Sequence, residues 1–144
     1  MAPAPPGTPR DFDAPKLEAL VEAMYLAASA DGEFSAEERA HFARSVESLT
    51  DKRIEGDAFD KLADRMHAAL TAEGRPKRLA ALKERLADPR ERKVALALAV
   101  RVMAADGLIR TSERELILEV AEALEIDRDE AAQVVRDNSQ QEKQ

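Results

Sequence analysis

The stretch DPRERKVALALAVRVMAA, residues 88–105, decides the fold class. Asp88 is a good N-cap, Pro89 suits the first helical position, and Glu91 stands three residues after the cap. Beyond this start signal the chain is apolar almost all round from Val94 to Ala105, with Arg101 as the one interruption. The Ala-Leu-Ala-Leu alternation imitates a strand, but the length of the segment and its alanine content predict a helix. A helix without a polar face belongs in the middle of a bundle. The run is far shorter than the roughly 20 residues a membrane span needs. Arg101 is expected at the bundle edge, snorkelling or paired.

Working outward, the apolar period stays helical. Leu17, Leu20, Val21, Met24 and Ala28 stripe a first helix, which Pro15 opens. Phe42, Val46 and Leu49 stripe a second, entered through a capping box, Ser35-Ala-Glu-Glu38. Phe59, Leu62, Ala63, Met66 and Leu70 mark a third, ending near Gly74, and Leu79, Leu82 and Leu86 a short fourth. The helix of the opening stretch is fifth. Ile117, Val120, Ala121 and Leu124 stripe a sixth, and Asp127-Arg-Asp-Glu130 caps a seventh that contains Val134 and Val135. No strand emerges from this reading.

A shift of 75 residues superimposes the chain on itself. Ala30-Asp31-Gly32-Glu33-Phe34 falls on Ala105-Asp106-Gly107-Leu108-Ile109, Glu38-Arg39 on Glu113-Arg114, Phe42 on Ile117 and Leu49 on Leu124. Each copy of A-D-G-x-[F/I]-x-x-x-E-R joins an Ala-rich helix to an acid-capped one. Two such helix–turn–helix units, with two helices between them, predict a compact pseudo-symmetric bundle.

These twin strings, in an all-helical domain of about 130 residues, resemble the TerB-like tellurite-resistance family over residues 13–137. The domain is also similar to the N-terminal part of some membrane-anchored J-domain co-chaperones, although no J-domain signature is present. The resemblance implies an all-α fold of about seven helices. It implies a cytoplasmic binding or scaffold module, working near the inner membrane in stress or metal-oxyanion resistance. Divalent-metal binding proposed for the family's acidic residues would carry over to Asp31, Glu38, Asp106 and Glu113.

The residues themselves admit two chemistries for these strings. An Asp-Gly turn followed by a Glu matches the second half of an EF-hand, but the preceding ligand places hold Ala27 and Ser29 in one copy and Val102 and Ala104 in the other. An ordinary EF-hand is thereby excluded. In the first chemistry Asp31 and Asp106 accept turn amides, Gly32 and Gly107 supply a positive φ, and Glu38 reaches back to its cap amide. In the second, the four carboxylates of both copies converge on one hard cation, Ca²⁺ or Mg²⁺. The same Glu cannot easily both cap and coordinate.

Catalytic signals are missing. The 144 residues contain no Cys, no Trp and two His, so a thiolate site, a Cys nucleophile and a disulfide framework are excluded. There is no H-E-x-x-H, no G-x-S-x-G and no phosphate-binding glycine loop. His67 is expected on a flank and His41 half-buried. Twenty-nine acids against 22 Lys plus Arg give −7, a poor balance for a nucleic-acid binder. From Arg75 to Lys93, however, eight bases stand against three acids. Such a segment is a solvated helix face or a docking face for an acidic partner or anionic headgroups; it lacks aromatics for base stacking. Twenty-eight Ala and 15 Leu with only five Gly agree with a helical chain.

Met1–Pro9 (MAPAPPGTP) has neither the charged nor the apolar region of a signal peptide. The expected organisation is a disordered tail at 1–12, a single helical domain at 13–137 and a disordered tail at 138–144. The expected function is a non-catalytic cytoplasmic module with protein partners; the alternative is a divalent-metal sensor.

Overall fold

The computed structural model describes residues 13–29, 35–50, 52–103 and 111–139, with their side chains except at 111–113, 138 and 139. Seven α-helices make up the described chain: α1 (Ala14–Ala28), α2 (Ala36–Leu49), α3 (Gly56–Glu73), α4 (Arg75–Arg85), α5 (Pro89–Met103), α6 (Thr111–Ala123) and α7 (Arg128–Ser139). No strand occurs among the described residues. The all-α class and the number of helices agree with the periodicity. Of the expected tails at 1–12 and 138–144, residues 1–12 and 140–144 lie outside the described residues, while the backbone at 138 and 139 continues α7.

The helix ends follow the local signals. Asp13 caps α1, its Oδ1 accepting from the Lys16 amide at 3.1 Å, with Pro15 in the first turn. Ser35 and Glu38 form both halves of the capping box on α2: the Glu38 amide donates to Ser35 Oγ at 3.1 Å, and the Ser35 amide to Glu38 Oε1 at 2.9 Å. Asp88 caps α5 through the Arg90 amide at 2.9 Å, and Asp127 caps α7 through the Asp129 amide at 3.1 Å. Between α3 and α4 the chain turns on Gly74, whose φ of 86° is a region that a Cβ disfavours.

The 75-residue shift is visible in the helices. Adding 75 to the bounds of α1 gives 89–103, the bounds of α5; adding it to α2 gives 111–124, one residue beyond α6. Buried positions correspond: Val21 with Leu96, Ala23 with Leu98, Tyr25 with Val100, Phe42 with Ile117, Val46 with Ala121. The two equivalent helices α1 and α5 pack against each other at the centre. Lys16 and Glu91, themselves 75 positions apart, meet across this pair at 2.6 Å, near the start of each helix. Contact between equivalent positions is what a pseudo-two-fold axis requires of residues lying on it.

The centre of the bundle differs in one respect from the sequence reading, which placed α5 there and gave α1 a single apolar stripe. Helix α1 is the more enclosed, with ten of its fifteen residues buried against seven in α5. It packs on α2, α3, α4, α5 and α6 together, so almost no side of it meets solvent. Tyr25 of α1 begins an aromatic chain through Phe42 to Phe59, with ring centroids 6.0 and 5.7 Å apart and tilted planes. Such pairs add roughly 0.5–1.5 kcal/mol each beyond their buried area. Arg101 is exposed at the edge of α5, as expected.

Candidate functional site

Of the four acids in the twin strings, the structure describes the side chain of Glu38 alone. Asp31 and Asp106 lie outside the described residues, as does the side chain of Glu113, whose backbone belongs to the first turn of α6. Glu38 occupies the capping role, one carboxylate oxygen taken by the Ser35 amide. Among the described residues no group of three or more His, Asp or Glu side chains is placed to hold a metal ion.

The basic segment 75–93 is placed in full. Helix α4 lies across α1, α3 and α6, and its cations reach into them. Arg78 sends Nε and Nη2 to the two oxygens of Glu22 on α1, at 2.6 and 2.8 Å, and Nη1 to Glu73 at 3.3 Å. Arg85 stands 3.6 Å from the same Glu22 and donates to the Pro15 carbonyl at 2.9 Å. Arg75 grips Glu119 of α6 in a two-pronged pair at 3.1 and 2.9 Å. Lys83 reaches Glu125 at 3.2 Å, Arg90 pairs with Asp88, and Lys93 with Glu130 of α7.

Glu22 is the acid that sequence reasoning missed. It is 2% exposed, the most buried charged residue described. Two guanidiniums therefore face one carboxylate in a low-dielectric setting, where the fork geometry of Arg matches both oxygens. Its carboxylate and that of Glu73 raise the Arg78 pKa further above the ordinary arginine value, which keeps the guanidinium charged. A signal existed: Glu22 is the single acid inside LVEAMYLAA, and an isolated charge in an apolar helix needs a counter-ion from elsewhere. Arg78 and Arg85, two of the eight bases at 75–93, supply it.

Arg92 acts differently. Its guanidinium donates to three carbonyls: Leu86 at 2.6 Å, Lys83 at 3.0 Å and Leu124 at 3.4 Å. It thus satisfies the unpaired C-terminal carbonyls of α4 and of the turn after α6 with one side chain. The planar five-donor fork is needed, because an ammonium cannot reach divergent acceptors in one plane. Arg92→Lys is expected to lose about 1.5–3 kcal/mol, the range for hydrogen bonds to charged groups. Urea unfolding measures it; an unchanged midpoint contradicts the clamp.

His67 is exposed on the flank of α3, as expected, yet its Nδ1 lies 3.0 Å from the buried Tyr25 hydroxyl and gives the phenol a partner at the surface. Burial pushes the Tyr25 pKa up, and the Arg39 charge opposes this. His41 was expected half-buried and is exposed, because the α2 stripe turns inward at Phe42 and Val46. None of the buried side-chain nitrogens or oxygens described lacks a partner. No described helix is long and apolar enough to cross a membrane.

Comparison with known proteins agrees with this architecture. No curated protein and no solved structure matches the chain. A family model does, that of the tellurite resistance protein TerB, over residues 17–137. The match begins in the first turn of α1, ends near the end of α7 and takes in both acidic strings. With a seven-helix all-α fold, a 75-residue internal repeat and a family match across both copies, the chain belongs to the TerB family.

Proposed function

We infer that this TerB-family domain is a non-catalytic binding or scaffold module of the tellurite and stress response, acting on other proteins in the cytoplasm beside the inner membrane. The observation that carries this reading is the use made of the buried polar groups. Glu22 and Glu91 are held by cations of neighbouring elements, and Thr50 donates to its own helix at the Val46 carbonyl, 2.6 Å away. A general acid or base needs hydrogen-bonding capacity turned toward a substrate. Among the described residues that capacity is turned toward helix packing, and the surface is what the domain offers to partners. Family membership supports the link to tellurite.

The test is deletion of the chain in its host, with plasmid restoration, combined with photo-crosslinking of the full-length protein in cells. Deletion is expected to lower tellurite tolerance severalfold, restoration to recover it, and the same partner protein to be crosslinked in repeated experiments. Unchanged tolerance with no recurrent partner contradicts the reading.

The alternative, a sensor holding Ca²⁺ or Mg²⁺ with Asp31, Glu38, Asp106 and Glu113, meets the capping box at Glu38. Coordination there draws on a carboxylate already engaged by the Ser35 amide. The turn-and-cap role predicts equal melting in EDTA and in millimolar Ca²⁺ or Mg²⁺, with Asp106→Asn lowering both equally. An ion present at a hundredfold excess over its Kd stabilises by about 2.7 kcal/mol. A gain of that size in wild type, absent in Asp106→Asn, assigns the strings to a shared cation instead.

A further inference from the structure

A groove of about 330 Å³ opens between the first turns of α1, the connection before α3 and the first half of α3. Its floor is apolar, built from Leu17, Ile54 and Leu62, side chains that also belong to the core. Among the described residues three cations line it, Arg53, Lys61 and Arg65, against one acid, Glu18. A chain of net charge −7 thus carries a positive mouth over an apolar floor.

The cations around this groove differ from those of segment 75–93. Arg78 and Arg92 are closely held and mostly enclosed. Lys61 leans on Asp57 one turn away at 3.2 Å, and Arg65 on Glu18 at 3.8 Å, with Lys61, Asp57 and Arg65 mostly open to solvent. Ion pairs in such surroundings are weak and exchange partners readily. At Lys61 and Arg65 an incoming carboxylate competes only with these exposed, weakly held acids.

The size and charge select the occupant. The volume is at the lower end of ligand-binding sites and suits one apolar side chain with its neighbours, not a pair of acyl chains. Among the described residues the groove has no aromatic on which a base could stack. Asp57, Asp60 and Asp64 stand along the same helix and oppose an extended anionic surface such as a membrane. A short ligand meets less of this opposition: Asp60 and Asp64 lie against Arg39, and the exposed Asp57 is the acid it displaces at Lys61. Arginine forks recognise carboxylates through paired hydrogen bonds.

The geometry points to this groove as the docking site for an acidic peptide segment of a partner protein, one that presents a single aliphatic or aromatic anchor between Asp or Glu residues. The inference rests on the reading of the domain as a binding module and names its surface. The anchor fills the floor at Leu17, Ile54 and Leu62. The flanking carboxylates lie against Arg53, Lys61 and Arg65. Charge draws the segment in, and the apolar floor holds it.

The test uses the full chain and a fluorescein-labelled probe peptide of ten residues, with Leu flanked by Glu and Asp. Saturable binding is expected. It should weaken at least tenfold when the probe's acids become Gln and Asn, when its Leu becomes Ala, or in Arg53→Glu/Lys61→Glu. Ala58→Trp, which fills the exposed mouth while leaving every charge in place, should weaken it equally. Circular dichroism confirms that both variants remain folded. An absence of probe binding, or binding that ignores these variants, overturns the proposal. So does variant-sensitive binding to phosphatidylglycerol vesicles without binding to the probe, or a self-association in sedimentation that the variants abolish. A partner crosslinked in cells that is retained by Arg53→Glu/Lys61→Glu removes the groove and leaves the module reading intact; failure to find any partner removes the module reading itself.

Discussion

Arg78→Met is expected to destabilise the fold by about 3–5 kcal/mol, the cost of removing one partner from a buried ion pair. The substitution keeps most of the aliphatic stem and removes the two donors that meet Glu22 at 2.6 and 2.8 Å. Glu22 then retains only Arg85, at 3.6 Å, for a carboxylate that solvent scarcely reaches. A domain of this size has about 5–15 kcal/mol in all, so a large share of its stability goes. The melting temperature should fall by roughly 6–20 °C, since each kcal/mol is worth about 2–4 °C near 150 residues. Glu22→Leu combined with Arg78→Met should recover most of the loss, because the uncompensated charge is then gone. Urea unfolding of the two single variants and the double one forms the cycle. A neutral Arg78→Met would mean that the pair carries no energy, and that α4 is held on α1 by its apolar packing and by Arg85.

Leu96→Ala should cost about 2–5 kcal/mol, the transfer term plus the cavity left behind. Leu96 is fully buried on α5, the repeat equivalent of Val21 on the helix it packs against. Helices on several sides limit collapse into the vacated space, which puts the loss toward the upper part of the range. Leu96→Met, which nearly conserves volume, should cost less than about 1.5 kcal/mol. Leu98→Ala, nearly as buried, serves as the companion variant. Thermal unfolding measures all three. If Leu96→Ala and Leu98→Ala were both neutral, α5 would not be central.

The paired strings mark how far the candidate site was legible. Ser35 and Glu38 stand three residues apart on one helix, and their reciprocal hydrogen bonds followed from that spacing alone. A cation held jointly by Asp31, Glu38, Asp106 and Glu113 would depend on how two distant turns approach each other, which no spacing within one turn specifies. The basic segment shows the same division. Its excess charge was plain in the sequence. Its targets, Glu22, Glu119 and the carbonyls of Lys83, Leu86 and Leu124, were not.

Seven helical segments, the caps at Ser35, Asp88 and Asp127 and the repeat were legible in residue spacing alone. Each of these depends on residues three or four positions apart, or on a pattern that recurs whole, and the energies involved act within a turn. Packing had to be seen to learn that α1 is the most enclosed helix, that Lys16 meets Glu91 across the repeat, and that bases of 75–93 close on acids from α1, α6 and α7. Such contacts join residues tens of positions apart, and a charge in the sequence has no preferred partner until packing brings one near. Burial then decides its worth. In water the attraction between Arg78 and Glu22 is small, but where solvent is excluded the same two charges must be paired.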